Sequence, residues 1–309
     1  YLVKNGLALS KLITSQNVRI LHVNDYYNMV GVIAKMFLPS VRVVTHIRML
    51  PDSFPFLLSR IWLGIHARIA NQVICVSKAV KRQLGNNYPA ALIYDGMLNE
   101  EKYPPRDTCN RKQSKIKLLY LGHVIPGKGQ DFALKAFRQA YGECKQIRLR
   151  FVGGDLGIQR NREFKQLLER KTFEWGLSEV VQFHGPTNDV EKEIKNADIV
   201  LNFSESESFS FTCLEALYYG TPLIASDSGG PSELFEHKHS GYLVRNRDVA
   251  AMAEAIVFLG QSPEERRKYS IESRKFVREH FLESESYQRT RSVYEAAIIS
   301  SEAGSSAIN

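Results

Sequence analysis

Short apolar runs alternate with longer stretches of helical periodicity along most of the chain. Strands are predicted over 18–23, 41–45, 72–76 and 91–94, and again over 116–121, 148–152, 180–183, 199–203, 222–225 and 241–244. Helices are predicted over 29–37, 56–70, 78–84, 130–141, 162–175, 209–219, 247–259 and from 264 to the end. Strands that alternate with helices form parallel sheets covered by helices on both faces. The pattern therefore predicts an α/β protein.

A polar segment without periodicity divides this alternation into two series. It runs over 99–114 and contains two adjacent prolines, which is typical of a linker. The two series predict two Rossmann-like domains, 1–108 and 109–284, that face each other across a cleft at the carboxyl ends of their strands. The first series is short and the chain begins with Tyr1. We therefore expect a truncated N-terminal domain, completed by the C-terminal helix over 285–309.

Composition narrows the class of protein. Hydrophobic residues make up 44% of the chain, which predicts a folded core, and no apolar run approaches the roughly 20 residues of a membrane-spanning helix. The formal charge of +8 suits an anionic ligand, an anionic membrane surface or nucleic acid, or only a basic surface. No aromatic-rich basic motif supports nucleic-acid binding. The cysteines are far apart, which favours reduced thiols in a cytoplasmic protein; they are Cys75, Cys109, Cys144 and Cys213.

The first candidate site is the glycine-rich turn "GHVIPGKG" between a predicted strand and a predicted helix. Gly122 and Gly127 let the backbone approach a phosphate, and Lys128 adds a positive charge beside the helix N-terminus. The spacing matches neither the P-loop nor the dinucleotide-binding fingerprint. From these residues alone, a phosphate site and a plain turn both stay open.

The second candidate site holds two carboxylates near the start of one predicted helix. Glu207 and Glu215 are eight positions apart, so both can face one side of the helix. A carboxylate accepts hydrogen bonds from the vicinal hydroxyls of a sugar or ribose. The backbone N–H groups of residues 208–211 lie where a helix start can hold a phosphate. A capping carboxylate followed by a solvated one is the alternative.

Taken together, these stretches resemble the family-4 retaining glycosyltransferases of the GT-B fold. The segment "NFSESESFSFTCLEALYYGTPLIASDSGGPSELFEHKHSGYLV" resembles that family's two-glutamate signature. "LLYLGHVIPGKGQDFALKAF" resembles its donor-phosphate loop, and "VICVSKAVKRQL" with "LIYDGM" resembles the end of its acceptor domain. The resemblance runs from about residue 20 to about residue 259.

The resemblance implies transfer of a sugar, with retention of configuration, from a UDP- or GDP-sugar to a glycan or lipid-linked acceptor. The expected setting is the synthesis of a cell-surface polysaccharide or glycolipid, without a metal or other cofactor. Glu207 would face the transferred sugar, Lys128 would neutralise the diphosphate, and Glu215 would bind the ribose. The other donor-side residues implied are Gly122, His123, Gly127, Gly153, Gly154, Gly185, Ser208, Phe209, Ser210 and Phe211.

Three residues depart from the family pattern. His123 stands where the family usually has Arg, and Ser208 and Ser210 replace two usual glycines. A neutral imidazole compensates charge less than a guanidinium, and serine restricts the backbone more than glycine. A non-catalytic GT-B protein that binds a nucleotide sugar or a protein partner is therefore the alternative. A nucleotide-sugar epimerase or hydrolase fits less well, because the surroundings of the two glutamates resemble transferases.

On the acceptor side, His46 ends a predicted strand and resembles the family histidine that borders the donor sugar, which makes it a candidate catalytic residue. Asp25 and Arg48 are further acceptor-side candidates. The helix over 56–70 carries an apolar stripe that predicts a core-facing side; with its basic residues, a membrane-surface element is the alternative. The expected partners are thus a nucleotide sugar, an acceptor and the membrane surface in peripheral contact, at its cytoplasmic face, and no nucleic acid.

Overall fold

The computed structural model describes residues 1–97 and 115–299. The predicted linker over 99–114, Cys109 and the predicted domain boundary at 108/109 lie outside the described residues. The described chain divides into two units. One is formed by Tyr1–Gly96 together with the C-terminal segment from Glu283, and the other by Met97–Leu282.

The first unit is built on a parallel sheet with four described strands. They are β1 (Ile20–Asn24), β2 (Arg42–Ile47), β3 (Gln72–Cys75) and β4 (Ala91–Leu92), in that spatial order. The helices before and between them are α1 (Leu2–Ser15), α2 (Met29–Phe37), α3 (Phe56–Ile69) and α4 (Lys78–Leu84). The hydroxyl of Ser77 accepts a hydrogen bond from the Val80 N–H at 3.1 Å, so α4 begins at the predicted cap.

Helix α1 was not predicted from the pattern, because its buried side carries almost no apolar signal. Its buried residues are Gly6, Ser10 and Ile13. A methyl group on Gly6 would lie 2.4 Å from a side-chain carbon of Ile33 in α2. The small residue therefore lets α1 and α2 pack closely. Because small residues form this contact, the sequence of α1 shows no apolar stripe from which the helix could be predicted.

The predicted core-facing stripe of α3 is wrong for its first half, whereas Trp62, Ile65 and Ile69 in its second half are half-buried. Leu57, Leu58 and Ile61 are exposed, whereas the buried positions of the helix are Ser59, Leu63 and His66. His66 is buried because its ring nitrogen shares a 2.8 Å hydrogen bond with the Thr45 hydroxyl of β2. A polar contact to the sheet thus turns the helix so that part of its apolar face points to solvent.

The second unit is built on a parallel sheet with six described strands. They are β5 (Ile116–Leu121), β6 (Ile147–Val152), β7 (Val181–His184), β8 (Ile199–Asn202), β9 (Leu223–Ser226) and β10 (Tyr242–Val244). Its helices are α5 (Gln130–Glu143), α6 (Gln159–Glu174), α7 (Val190–Asn196), α8 (Phe211–Tyr218), α9 (Val249–Gln261) and α10 (Pro263–His280). The spatial order β10-β9-β8-β5-β6-β7 is that of a Rossmann sheet, with its switch point between β5 and β8.

Two predictions for the helices of this unit were incomplete. Helix α7 was missed, although Asp189 caps it by accepting a 2.9 Å hydrogen bond from the Lys192 N–H. The single helix predicted from 264 is two helices, because Phe281 adopts a non-helical conformation and its carbonyl accepts a hydrogen bond from the Met97 N–H at 2.9 Å. The ring of Phe281 is buried against that of Phe209, which fixes the break.

The last helix, α11 (Glu283–Ile299), belongs to the first unit. Its Ala297 is buried in one cluster with Val44 of β2 and Ile74 of β3. The predicted α/β class is confirmed, since each unit is a parallel sheet with connecting helices. Among the described residues, no helix combines the length and apolarity needed to traverse a bilayer. The described cysteines (Cys75, Cys144 and Cys213) are buried and form no disulfide.

Candidate active site

The candidate donor site lies at the switch point of the second unit. Strands β5 and β8 are neighbours, and Leu118 of β5 is in register with Ile199 of β8. The loops that leave their carboxyl ends lead to α5 on one side and α8 on the other, which is where open α/β sheets bind ligands. Lys128 comes from the first loop and Glu207 from the second.

The loop after β5 holds a glycine that no other residue can replace without a shift. Gly129 caps α5 with φ +79°, and a methyl group on it would lie 2.0 Å from the carbonyl oxygen of Phe203. This close approach brings the N-terminus of the 14-residue helix α5 beside the end of β8. A helix N-terminus attracts anions, so this loop suits a phosphate group.

The side chain of Tyr120 connects the two loops by hydrogen bonds. Its hydroxyl donates a hydrogen bond to the Lys128 carbonyl at 2.5 Å and accepts one from the Phe203 N–H at 2.9 Å. The side chain is buried, and burial raises the pKa of Tyr120 far above its ordinary value, so it stays a neutral donor. A second tie is the hydrogen bond from the Glu205 N–H to the Gly127 carbonyl at 2.9 Å.

The ammonium group of Lys128 contacts the carboxylate of Glu207. The Nζ–Oε1 distance is 2.6 Å, and the side chains are 44% and 14% exposed, respectively. One of three ammonium protons satisfies this contact, which leaves hydrogen-bonding capacity on both partners. The pair can therefore hold a further polar ligand between the two loops.

The segment from Glu207 to α8 is held in a conformation that serine rarely adopts. Ser210 has φ +89°, and its hydroxyl accepts hydrogen bonds from the Cys213 N–H at 3.4 Å and the Asn202 amide at 3.1 Å. The Glu207 N–H donates to the Ser228 carbonyl at 3.0 Å, and the Gly230 N–H donates to the Glu207 carbonyl at 2.8 Å. The position suits the glycine that the family usually has there, and the two side-chain contacts hold it with serine.

The other residues of the two-glutamate segment differ in exposure. Phe209 is buried, Phe211 is 47% exposed, and Ser208 is half-buried. Glu215 lies half-buried in α8, where burial raises the pKa of its carboxyl. Within the described residues, its carboxylate makes no hydrogen bond or ion pair, so it is available to a ligand.

The glycines after β5, β6 and β7 bring three loops side by side. A methyl group on Gly153 would lie 1.9 Å from the Gly122 carbonyl oxygen, so only glycine permits this approach. The Val124 N–H donates to the Gly154 carbonyl at 2.9 Å, and the ring of Pro186, next to Gly185, lies 3.5 Å from a methyl group on Gly154. The predicted donor-side glycines thus share one edge of the sheet.

His123 is exposed, and its backbone is fixed by a buried glutamine that the sequence reasoning missed. The Gln130 amide donates a hydrogen bond to the His123 carbonyl at 2.8 Å, while Gln130 is 1% exposed. Because Gln130 is the first residue of α5, the start of that helix sets the loop conformation. The imidazole of His123 makes no hydrogen bond or ion pair within the described part of the chain.

The acceptor-side candidates lie at the carboxyl edge of the first sheet. His46, on β2, is 8% exposed, and its Nε2 has no hydrogen-bond partner among the described residues. Burial, with the nearby Arg48 and His22 charges, lowers the pKa of His46 to about 3, so the imidazole is neutral at pH 7. The His22 ring lies edge-on to it at 5.5 Å, and the His22 Nδ1 is 2.8 Å from the Tyr294 hydroxyl.

Asp25 and Arg48 are both engaged inside the first unit. Asp25 Oδ1 accepts hydrogen bonds from the Tyr26 N–H at 3.1 Å and the Arg48 N–H at 3.4 Å, and burial raises the pKa of the carboxyl. Both guanidinium NH groups of Arg48 contact both carboxylate oxygens of Asp95. Asp95, His22 and Tyr294 were not singled out from the sequence, although Asp95 follows a predicted strand as Asp25 does.

No group of three or more His, Cys, Asp or Glu residues in 1–97 and 115–299 is arranged to hold a metal ion. The structure brings Lys128 together with Glu207 in the second unit, and His46 together with Arg48 and Asp25 in the first.

Comparison with known families places residues 106–276 within the model described as "Glycosyl transferases group 1". This match covers more than half of the 309-residue chain.

Two curated relatives illustrate the range of similar proteins. An exopolysaccharide phosphotransferase of Streptomyces coelicolor is 33% identical over 158 residues, which is 50% of this chain and 16% of the relative. A D-inositol 3-phosphate glycosyltransferase of Streptomyces scabiei is 25% identical over 215 residues, which is 64% of this chain and 48% of the relative. The chain thus spans at most about half the length of these relatives.

Solved structures share the fold. The crystal structure of Anabaena HepE in complex with UDP-glucose has a TM-score of 0.82 at 22% identity, and the match covers 94% of this chain and 82% of that one. Sucrose-phosphate synthase of Thermosynechococcus elongatus has a TM-score of 0.81 at 21% identity, covering 96% and 77%. The predicted GT-B fold class is confirmed.

Proposed function

The chain belongs to the glycosyl transferases group 1 family, and from this premise we propose that it transfers a sugar from a nucleotide-diphosphate sugar to a glycan or lipid-linked acceptor. The observation that carries the proposal is the Lys128–Glu207 contact at the switch point of the second sheet, beside the N-terminus of α5. A cation, a helix N-terminus and a carboxylate with spare capacity together suit a diphosphate joined to a polyhydroxylated sugar.

The proposed roles follow from where each group lies. Lys128 and the α5 N-terminus neutralise the diphosphate as negative charge builds on the leaving group. The N–H groups at the start of α8 add to this, and Glu207 faces the transferred sugar. Glu215, whose carboxylate lies half-buried, accepts hydrogen bonds from the ribose hydroxyls. These donors are fixed before the reaction, so they stabilise developing charge without rearrangement.

The proposed reaction retains the anomeric configuration. The bond from the anomeric carbon to the diphosphate oxygen breaks, and the bond to the acceptor oxygen forms on the same face of the sugar. The acceptor's proton passes to the leaving diphosphate, so no separate general base is needed. His46, neutral at pH 7, would border the transferred sugar without competing for that proton.

UDP-glucose is the first donor to test, because a HepE structure with this fold holds it. GDP-sugars are the second class in the proposal. The proposed setting is the synthesis of a cell-surface polysaccharide or glycolipid, and the name of one relative, an exopolysaccharide phosphotransferase, supports the polysaccharide. The proposal also includes a cytoplasmic location with peripheral membrane contact, and a reaction without metal or cofactor, for which undiminished turnover in EDTA is the test.

Calorimetry with UDP and UDP-glucose tests the site directly. We expect Lys128→Ala and Glu215→Ala each to weaken binding at least about tenfold, because each removes a group that contacts the nucleotide. Lys165→Ala and Glu169→Ala are matched controls, since that pair lies on the surface of α6. Unchanged affinity in both site variants would refute the assignment.

A second candidate is a non-catalytic protein that binds a nucleotide sugar. The exposed His123, at the usual arginine position, and the strained Ser210 favour it. Incubation with labelled UDP-glucose separates the two: the transferase also releases sugar slowly to water, whereas the binding protein holds the donor intact. Restored turnover in His123→Arg after none in the parent would identify the binding protein as a derived transferase.

A further inference from the structure

We propose that the start of α3 docks this chain on an anionic lipid bilayer. The docking surface, here called the apolar tip, consists of Phe56, Leu57, Leu58 and Ile61. Phe56 is 74% exposed and Leu57 71% exposed, with Ile61 at 50% and Leu58 at 38%. Clustered large apolar side chains in water mark an interaction surface rather than a solvated one.

The shape of the apolar tip suits an interface that has no fixed grooves. Its side chains are consecutive or one turn apart at the first turns of the helix, whereas the sheet-facing side of α3 carries Ser59, Leu63 and His66. Leu57, Leu58 and Ile61 have the spacing of three and four residues that a partner helix also needs, but the exposed part of this stripe ends at Ile61. The positions that would continue it are half-buried; they are Trp62, Ile65 and Ile69. A short blunt cluster at one end of a helix instead matches shallow insertion into the headgroup and acyl boundary.

Charge around the apolar tip selects an anionic surface. The charged residues of α3 are Arg60 and Arg68, and the helix carries no acidic residue. Arg60 lies within the apolar tip itself, with its guanidinium carbon 5.3 Å from the centre of the Phe56 ring. A juxtaposed apolar cluster and basic excess is the combination that binds anionic lipids.

A groove of about 960 Å³ lies beside the apolar tip and continues the apolar surface inward. Phe54, Leu63 and Tyr88 are among its lining residues. Its charged lining residues are Arg60, Arg68 and Asp52, and the Asp52 carboxylate accepts a hydrogen bond from the Gln83 amide at 2.8 Å. Apolar walls with two guanidinium groups suit the acyl portion and the phosphate of one phospholipid. The groove and the apolar tip therefore favour the same occupant, a bilayer that contains anionic phospholipid.

The inference deepens the proposed function, because a lipid-linked acceptor would be met at such a surface. It can nevertheless be tested without a sugar donor. Vesicle binding that fails while UDP binding persists overturns this inference and the membrane contact in the proposed function, and leaves the donor site standing. The reverse result overturns only the donor site.

Vesicle flotation of the full chain is the primary experiment. We expect binding to vesicles of equal parts phosphatidylcholine and phosphatidylglycerol, and little binding to pure phosphatidylcholine. Phe56→Ser/Leu57→Ser should lower the partition coefficient at least about tenfold, because both side chains leave the interface. Phe173→Ser is the matched control, since Phe173 is 78% exposed on α6 of the second unit. Arg60→Glu/Arg68→Glu should weaken binding in the mixed vesicles.

Tryptophan fluorescence gives an independent readout at the helix itself. The sequence contains two tryptophans, Trp62 and Trp175. Trp62 lies in α3, with its ring 5.3 Å from that of Phe54 in the groove wall. In a Trp175→Phe background, mixed vesicles should shift the emission of Trp62, and the apolar-tip variant should abolish the shift. A far-UV circular dichroism spectrum and a urea unfolding midpoint equal to those of the parent show that each variant is folded.

Two results would overturn the proposal. One is equal vesicle binding by the parent and the apolar-tip variant. The other is a parent that does not bind vesicles and is dimeric by light scattering, while the apolar-tip variant is monomeric. That result would show that a second copy of the chain covers this surface.

Discussion

Each of the two sheets has an ion pair at its carboxyl edge, and the two pairs differ in what they leave free. In the first unit, both guanidinium NH groups of Arg48 engage both oxygens of Asp95. In the second, Lys128 uses one contact to one oxygen of Glu207, and its side chain is 44% exposed. The bidentate pair satisfies its members, whereas the single contact leaves donors and an acceptor for a ligand.

The surroundings of the two ion pairs also favour ligand binding at the second sheet rather than the first. The Lys128 loop is fixed by backbone contacts, by Gly129 against Phe203 and by the Tyr120 hydroxyl, so an accessible cation stands on a rigid support. The edge of the first sheet instead buries groups that stay neutral or paired, such as His46. The comparison indicates that the edge of the second sheet is suited to ligand binding. The described residues at the edge of the first sheet mainly stabilise the fold of that unit.

The largest expected effect is on catalysis at the second edge. Glu207→Gln keeps the size of the side chain and a contact to Lys128 but removes the charge that faces the transferred sugar. We expect turnover of UDP-glucose to fall by about 10³-fold with UDP affinity nearly unchanged, because the charge acts mainly in the transition state. Initial rates and calorimetry measure the two quantities.

Asp95→Asn is the matched change at the first edge, and it should lower turnover less than about tenfold. Equal losses of turnover in Glu207→Gln and Asp95→Asn would remove the proposed difference between the two edges.

The sequence predicts the second edge better than the first, and the reason is physical. Lys128 and Glu207 belong to loops whose glycines, caps and charges follow each other at fixed spacing. A short stretch of sequence is therefore enough to identify them as site residues. The ends of most strands, and the cap at Ser77, are local for the same reason.

Contacts between distant residues could not be predicted in this way. Tyr120 looks like any apolar strand residue, and only the folded sheet brings its hydroxyl between Lys128 and Phe203. Tyr294 reaches His22 across 272 positions. The side of α3 that faces the sheet was set by a polar contact of His66 rather than by apolar periodicity, which is why the predicted stripe was wrong for its first half.

The second effect concerns stability at the first edge. Arg48→Met leaves the Asp95 carboxylate, which is 17% exposed, without its partner, so we expect the free energy of unfolding to fall by about 2–3 kcal/mol. Lys128→Met should cost below about 1 kcal/mol, because that side chain is half in solvent. Urea unfolding compares the two variants, and a larger loss from Lys128→Met would reverse the comparison.

The third effect tests the support beneath the donor loop. Tyr120→Phe removes the hydroxyl that joins the Lys128 carbonyl to the Phe203 N–H, and we expect a loss of stability of about 1–2 kcal/mol. UDP should bind about threefold to tenfold more weakly, since Lys128 is held less firmly. In a Lys128→Ala background the same change should no longer affect UDP binding. Additive effects in the double variant would show that Tyr120 supports the fold without positioning Lys128.

The last effect concerns pH and the first edge. The pKa of His46 is about 3 in the folded chain and near its ordinary value of 6.5 in the unfolded chain. Between these values the unfolded state binds the extra proton, so stability falls as the pH drops below about 6.5, by up to ~1.4 kcal/mol per pH unit. His46→Gln should flatten this dependence between pH 7 and pH 5 in urea unfolding, leaving the smaller part due to His22 and His66, whose pKa values are also lowered by burial. His184→Gln in the second unit should flatten it less, because burial also lowers the pKa of His184 but that ring is only half-buried. If the pH dependence is parallel in the parent and His46→Gln, His46 is hydrated at the edge, and the first edge is open to ligands as the second one is.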